Sequence, residues 1–136
     1  MKLRTKEFIH ESKVSIDSAF SQFTQINSMT APSCSNFFNG VELCIKAYSV
    51  EQHGSIPKNL RTHDLVTLCQ SNGLWNNLSN EIKRFLHEMN IFQPQVTRYP
   101  GEEGYNILIT SSTNDWWKEA FSKAYELIKL VKSHVD

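Results

Sequence analysis

Near the end of the chain, apolar side chains return at a fixed interval. Trp117, Ala120, Phe121, Ala124, Leu127, Ile128, Val131 and Val135 are separated by steps of three, one or four residues. Only a repeat of about 3.6 residues puts all of them on one side of the backbone, so the spacing predicts a long amphipathic helix. Ser112 or Thr113 supplies its N-cap. A stripe of that length has to be buried against faces of comparable length, which makes a helical bundle the natural fold.

Other segments supply those faces. Between about residues 5 and 25, Ile9, Ile16, Ala19, Phe20 and Phe23 recur at helical spacing, with Glu7, Glu11, Lys13 and Asp17 elsewhere on the wheel. Asn27 to Ser33 contains turn residues, and Pro32 suits the first turn of a second helix. From Ser35 to Gln52 the apolar set Phe37, Phe38, Val41, Cys44, Ile45 and Tyr48 is too broad for a narrow stripe. It predicts a central helix with neighbours on several sides, ended by Gly54 and Pro57. A short third helix follows, with Thr62 as N-cap, Asp64 in its first turn and Asn72-Gly73 as its stop. Ile82, Phe85, Leu86 and Met89 mark a fourth helix over 77–90. Residues 93–112, which hold Pro94, Pro100, Gly101 and Gly104, read as an irregular segment whose 105–110 stretch favours extended structure. The expected architecture is all-α, one up-and-down bundle of about five helices, four long and one short, in a single domain spanning 1–136.

Length and charge narrow the function. The 136 residues, 40% hydrophobic and 21% charged, suit one core. Fourteen basic and fourteen acidic residues cancel, so nucleic-acid affinity has to come from a local patch. The three cysteines, Cys34, Cys44 and Cys69, form no Cys-x-x-Cys pair, and with no signal-like or membrane-length apolar run they point to a reducing cytoplasm. The five histidines and three cysteines show no zinc spacing, and the glycines form no phosphate loop.

Three elements stand out in this helical background: Val41-Glu42-Leu43-Cys44-Ile45-Lys46-Ala47, Thr62-His63-Asp64-Leu65 and Thr97-Arg98-Tyr99-Pro100. In this order they resemble the signature of the HEPN domain (higher eukaryotes and prokaryotes nucleotide-binding), and the resemblance runs from about Phe8 to Val135. It implies a small helical bundle that binds nucleotides or RNA, commonly dimerises, and in bacteria is often paired with a minimal nucleotidyltransferase in toxin neutralisation, phage defence or stress; no cofactor is expected.

Each element has a structural and a functional reading. Glu42 and Lys46, four apart with the acid first, form the favoured helical ion pair. A structural or dimer-facing role is preferred over a ligand role. His63 is either packed locally at a helix start or a nucleotide contact beside Lys58 and Arg61. Arg98 and Tyr99 offer forked donors for phosphate and a ring for base stacking, against the alternative that Arg98 clamps Glu42 or Asp64. The expected binding set is Lys58, Arg61, His63, Arg98 and Tyr99, where the segment 58–64 approaches the loop after Arg98. That both segments lie at the same end of the bundle is inferred from the resembled fold.

The ribonuclease branch of the resembled family uses an Arg followed, four to six residues on, by a His late in the fold. His takes the 2′-hydroxyl proton and Arg stabilises charge on the phosphorane. Here Arg84 and His87 are too close, and Arg4 and His10 fit the spacing but lie in the first helix. No catalytic residue and no metal ligand is therefore expected. The preferred function is a non-catalytic nucleotide- or RNA-binding partner protein. A metal-independent endoribonuclease, using Arg4 with His10 or a composite of His63 and Arg98, and a plain protein-interaction module are the alternatives. Trp116 and Trp117, side by side on different faces, suggest apolar surface beyond the needs of one bundle and hence a homodimer.

Overall fold

In the computed structural model, residues 1–58, 62–98 and 114–136 are described, with side chains up to Ile91 and again from Asn114. They form α1 (Leu3–Ile26), α2 (Ala31–His53), a short α3 (Leu65–Ser71), a 3-10 turn (Leu74–Asn77), α4 (Asn80–Arg98) and α5 (Asn114–Val135). Among the described residues there is no strand. The described residues fold as an all-α bundle of four long helices and one short one, as the periodicity predicts.

The α1–α2 hairpin is written into its turn. Asn27 ends α1 in the left-handed region at φ 52°, a conformation its short amide side chain tolerates. Thr30 then caps α2: its side chain accepts from the backbone N–H of Ser33, while the Ser33 hydroxyl serves the backbone N–H of Thr30. Gly40 is where the two helices come closest. A Cβ there would lie 2.5 Å from Cγ1 of Ile16 and 2.9 Å from the carbonyl oxygen of Ser12. The Ser12 hydroxyl uses the same approach to donate to the carbonyl of Gly40 at 2.6 Å. At the far end, Glu51 of α2 accepts from the backbone N–H of Lys2 at 3.0 Å and from the Thr5 hydroxyl at 2.8 Å. A carboxylate from the neighbouring helix thus serves the N-terminus of α1, which has no side-chain cap of its own.

Contacts between the other helices fix their directions. Asn114 at the start of α5 donates to the carbonyl of Asn27 at the end of α1, and Phe20 packs on Phe121. Trp116 bonds Glu88 while Lys123 pairs with Glu81. Hence α5 runs antiparallel to α1 and α4, and α4 antiparallel to α2. The core gathers on Phe37, whose ring meets those of Phe121 at 4.9 Å, Trp117 at 5.6 Å and Phe85 at 6.2 Å, joining α2, α4 and α5. Edge-to-face aromatic pairs of this kind are worth about 0.5–1.5 kcal/mol each beyond their buried area. The apolar stripe of α5 is buried throughout.

Several boundaries differ from expectation. Asp64, not Thr62, caps α3: its carboxylate accepts from the backbone N–H of Thr67 at 2.9 Å, and the Thr62 hydroxyl accepts from the backbone N–H of Asp64. The threonine builds the turn and the aspartate ends it, because a carboxylate is the stronger acceptor for helix donors. Residues 74–77 form the 3-10 turn, and Ser79, bonded by the backbone N–H of Ile82, opens α4 three residues later than expected. The α4 backbone stays helical through Pro94 to Arg98, where an irregular segment was expected from Gln93. Proline removes one ladder donor, and here that loss does not end the helix. The predicted cap of α5 at Ser112 or Thr113 and the extended stretch 105–110 fall outside the described residues.

Candidate functional site

The polar residues of α2 are not scattered over its surface. Ser35, Asn39, Glu42 and Lys46 follow one another at steps of four, three and four, which draws a polar ridge along a helix otherwise committed to the core. Glu42 sits in the middle of the ridge and is buried, with only 8% of its surface exposed. A buried carboxylate needs partners. It has Lys46, whose Nζ lies 3.2 Å from Oε2, and His63, whose Nδ1 lies 2.7 Å from Oε1.

Every residue of Thr62-His63-Asp64-Leu65 contributes to holding that histidine. Thr62 closes the turn on one side of it and Asp64 caps α3 on the other. Asn90 of α4 then locks the turn to the bundle: its amide donates to Asp64 at 2.8 Å and its carbonyl oxygen accepts from the backbone N–H of the fully buried Leu65 at 2.9 Å. Partial desolvation pushes the Asp64 carboxyl upward, but hydrogen bonds from Thr67, Asn90 and Val66 outweigh it and hold the pKa below its ordinary value. An ionised Glu42 accepts only, so Nδ1 of His63 carries the proton toward it, and Nε2 is left for contacts on the open side. The His63 side chain is 43% exposed, against 15% for Lys46.

Two cavities open on either side of His63. One, of about 480 Å³, is lined by Arg4, Lys46, Ser55, Ile56, Thr62 and His63. The other, of about 320 Å³, is lined by Ser35, Asn36, Asn39, Glu42 and His63. The first concentrates cations: the guanidinium of Arg4 comes from the first turn of α1, near the ring of Phe8, and the ammonium of Lys46 from α2. It also carries the hydroxyls of Ser55 and Thr62. Such a wall suits an anion with several acceptor oxygens.

The groove between α4 and α5, about 290 Å³, has another character. Its polar groups serve each other: Lys123 pairs with Glu81, and the indole N–H of Trp116 bonds Glu88. It reads as an interhelix seam.

Of the residues singled out in the sequence, the structure brings Glu42, Lys46 and His63 together. Lys58 is exposed just beyond Pro57. Arg61 and Tyr99 lie outside the described residues. Arg98 ends α4 with its side chain likewise undescribed, so neither its pairing with Glu42 or Asp64 nor a ligand role is visible. The loop after Arg98, which the segment 58–64 is expected to approach, lies outside the described residues, and because α2 and α4 are antiparallel their C-terminal ends lie at opposite ends of the bundle. His63 and Asp64 instead stand partway along it, beside Glu42 and Asn90. The sequence reading passed over Arg4, Asn36 and Asn39 as cleft residues. The polar ridge on α2 was the signal available for Asn39, and Asn36 stands beside its first member, Ser35; Arg4 reaches the cleft through tertiary packing. The near-match of Arg4 with His10 does not form a pair within one chain, since six residues of helix turn them about 120° apart. His87 packs on Trp75 at 5.5 Å while Arg84 lines the α4–α5 seam.

Among the described residues no helix is long and apolar enough to cross a membrane, and no cluster of His, Cys, Asp or Glu is arranged to hold a metal. Neither the curated proteins nor the solved structures compared with the chain gave a match. A family model does: the HEPN domain, over residues 5–134. With nearly the whole chain matched and an all-helical bundle to go with it, this protein belongs to the HEPN domain family, whose members have nucleotide- or RNA-related functions.

Proposed function

We propose that the cleft around His63 binds the phosphate of a nucleotide or of an RNA chain, and that the protein acts as a non-catalytic binding partner. The observation that carries this reading is the convergence of Arg4, Lys46 and His63 from three separate segments on one cavity, with Glu42 holding two of the three in place. Electrostatic attraction is local, which agrees with a net charge of zero. Lys58, Arg61, Arg98 and Tyr99 belong to the same proposal as contacts further out; α4 carries the backbone of Arg98 about 12 Å beyond Asn90, toward the Ser35 end of α2. Pairing with a minimal nucleotidyltransferase in a bacterial defence, toxin-antitoxin or stress system, a cytoplasmic setting and a homodimer are the finer parts of the reading. They rest on the family, since Trp116 is taken up by Glu88 and the core within the chain.

Calorimetric titration of the purified protein with ATP, AMP and a short single-stranded RNA tests this. Binding should weaken as salt is raised, and Arg4→Ala, an exposed change, should cost about tenfold, or ~1.4 kcal/mol. Unchanged affinity in Arg4→Ala would count against the cleft.

The Glu42–His63 contact favours a second reading, a metal-independent ribonuclease. A carboxylate-oriented imidazole beside two cations has the makings of an acid–base site for 2′-hydroxyl attack. RNA cleavage in the presence of a chelator that disappears in His63→Ala would establish it; intact RNA would support the binding role.

A further inference from the structure

The 3-10 turn between α3 and α4 is anchored without help from its largest side chain. Gly73, in the left-handed region at φ 82°, turns the chain out of α3, and the buried Leu74 and Leu78 fix the turn to the core. Trp75 between them is only half-buried, and it stands against the first turns of α4. There the Lys83 ammonium lies 5.3 Å from the centroid of its ring, and the His87 ring meets it at right angles at 5.5 Å. His87 is exposed, as are Asn76, Asn77 and Asn80, which follow Trp75 in the chain.

Charge on this face has one sign. Residues 65–80 include no charged side chain, and the two acids of α4, Glu81 and Glu88, stand about 100–160° round the helix from Lys83 and His87. Both are bonded on the α5 side, Glu81 to Lys123 and Glu88 to the indole N–H of Trp116. An aromatic ring beside an ammonium and an imidazole, with exposed amides next to it and no carboxylate on that face of α4, has the parts of a platform for an unpaired base.

We infer that Trp75, Lys83 and His87 form a second contact surface, for single-stranded RNA. A base stacks on Trp75, Lys83 leaves the ring to pair with the adjoining phosphate, and His87 donates to the same stretch of backbone. A lone ammonium over an exposed ring is a weaker contact than a stacked base together with an ammonium–phosphate pair, so the exchange favours the ligand. Lys83 and His87 are one turn apart, about 6 Å along α4, which puts both beside one short run of nucleotides. The surface shares no residue with the cavities beside His63, and the inference stands apart from the reading of that cleft.

The test follows the fluorescence anisotropy of a labelled oligoadenylate as the protein is added, for the wild type, Trp75→Ala, Trp75→Phe, Lys83→Glu and Arg4→Ala, with melting temperatures as a check on folding. Trp75→Ala and Lys83→Glu should each weaken binding about tenfold, and Trp75→Phe should keep most of the affinity because a phenyl ring still stacks. Lys83→Glu changes only the surface, so it decides the matter even where Trp75→Ala fails to fold. Oligoadenylate bound as tightly by Lys83→Glu and Trp75→Phe as by the wild type, but weakened in Arg4→Ala, would overturn this surface and leave the cleft standing; losses in the Trp75 and Lys83 variants with Arg4→Ala unaffected would support this surface and remove RNA from the cleft. An abasic oligonucleotide of the same length bound as tightly as oligoadenylate would overturn the stacking platform, and an acidic peptide bound more tightly would make the face a protein-docking surface instead. Wild-type protein that leaves oligoadenylate unbound would overturn the inference outright.

Discussion

Glu42 is the residue on which the site turns. Its carboxylate is buried and bonded to both Lys46 and His63, so replacing one member of the group exposes the others to a mismatch. Glu42→Leu leaves the Lys46 ammonium facing an apolar wall, and breaking a buried pair in this way costs about 3–5 kcal/mol. Glu42→Gln keeps the shape and a bond to His63 and should cost less. Urea denaturation of both variants checks the order; equal and small losses would show that the charge is not held as described. The sequence shows Glu42 and Lys46 as a spaced pair but is silent about His63 as the other partner. That contact joins residues 21 apart, through a turn set by Thr62, Asp64 and Asn90. Arg4 was still less legible, because nothing in its own neighbourhood signals that α1 begins beside Lys46. Periodicity reports which face a residue is on, and only packing reports what faces it.

At the scale of helices, the close approach of α1 and α2 depends on Gly40. Gly40→Ala introduces a methyl group 2.9 Å from a backbone carbonyl oxygen that cannot turn aside, and 2.5 Å from the Ile16 side chain. The helices must part, and overpacking of this kind costs about 1–3 kcal/mol even though alanine is the better helix former. A lowered thermal midpoint is the expected outcome; a raised one would mean that the hairpin is looser than described. Helix existence and type were readable because apolar stripes of five turns leave little choice, whereas helix ends were not. Whether Thr62 or Asp64 caps α3 depends on which oxygen meets the Thr67 N–H, and whether Pro94 ends α4 depends on competing costs that composition does not rank. Tertiary bonds settle such boundaries, Asn90 to Leu65 among them.

For the molecule as a whole, three carboxylates hold the bundle's segments together and titrate low. Backbone donation from Lys2, with the Thr5 hydroxyl, depresses Glu51; hydrogen bonds outweigh desolvation at Asp64; the Lys123 ammonium depresses Glu81. A carboxyl whose folded pKa lies below its unfolded value stabilises the fold fully above the unfolded value and stops doing so as pH falls through the folded one. Thermal stability should therefore be level near neutrality and decline below about pH 4, and Glu51→Gln should flatten part of that decline. No change in the profile of Glu51→Gln would remove Glu51 from the account. Burial pushes the thiols of Cys34 and Cys69 up to about 12, so labelling of the folded protein with thiol reagents should be slow. The central claim, that the cleft beside Glu42 receives a nucleotide phosphate, is tested most directly by following the ring resonances of His63 in an isotopically labelled sample as AMP is added. They should shift in a saturable way, with a midpoint about tenfold higher in Arg4→Ala. Saturable shifts elsewhere in the protein while the His63 ring stays still would contradict it.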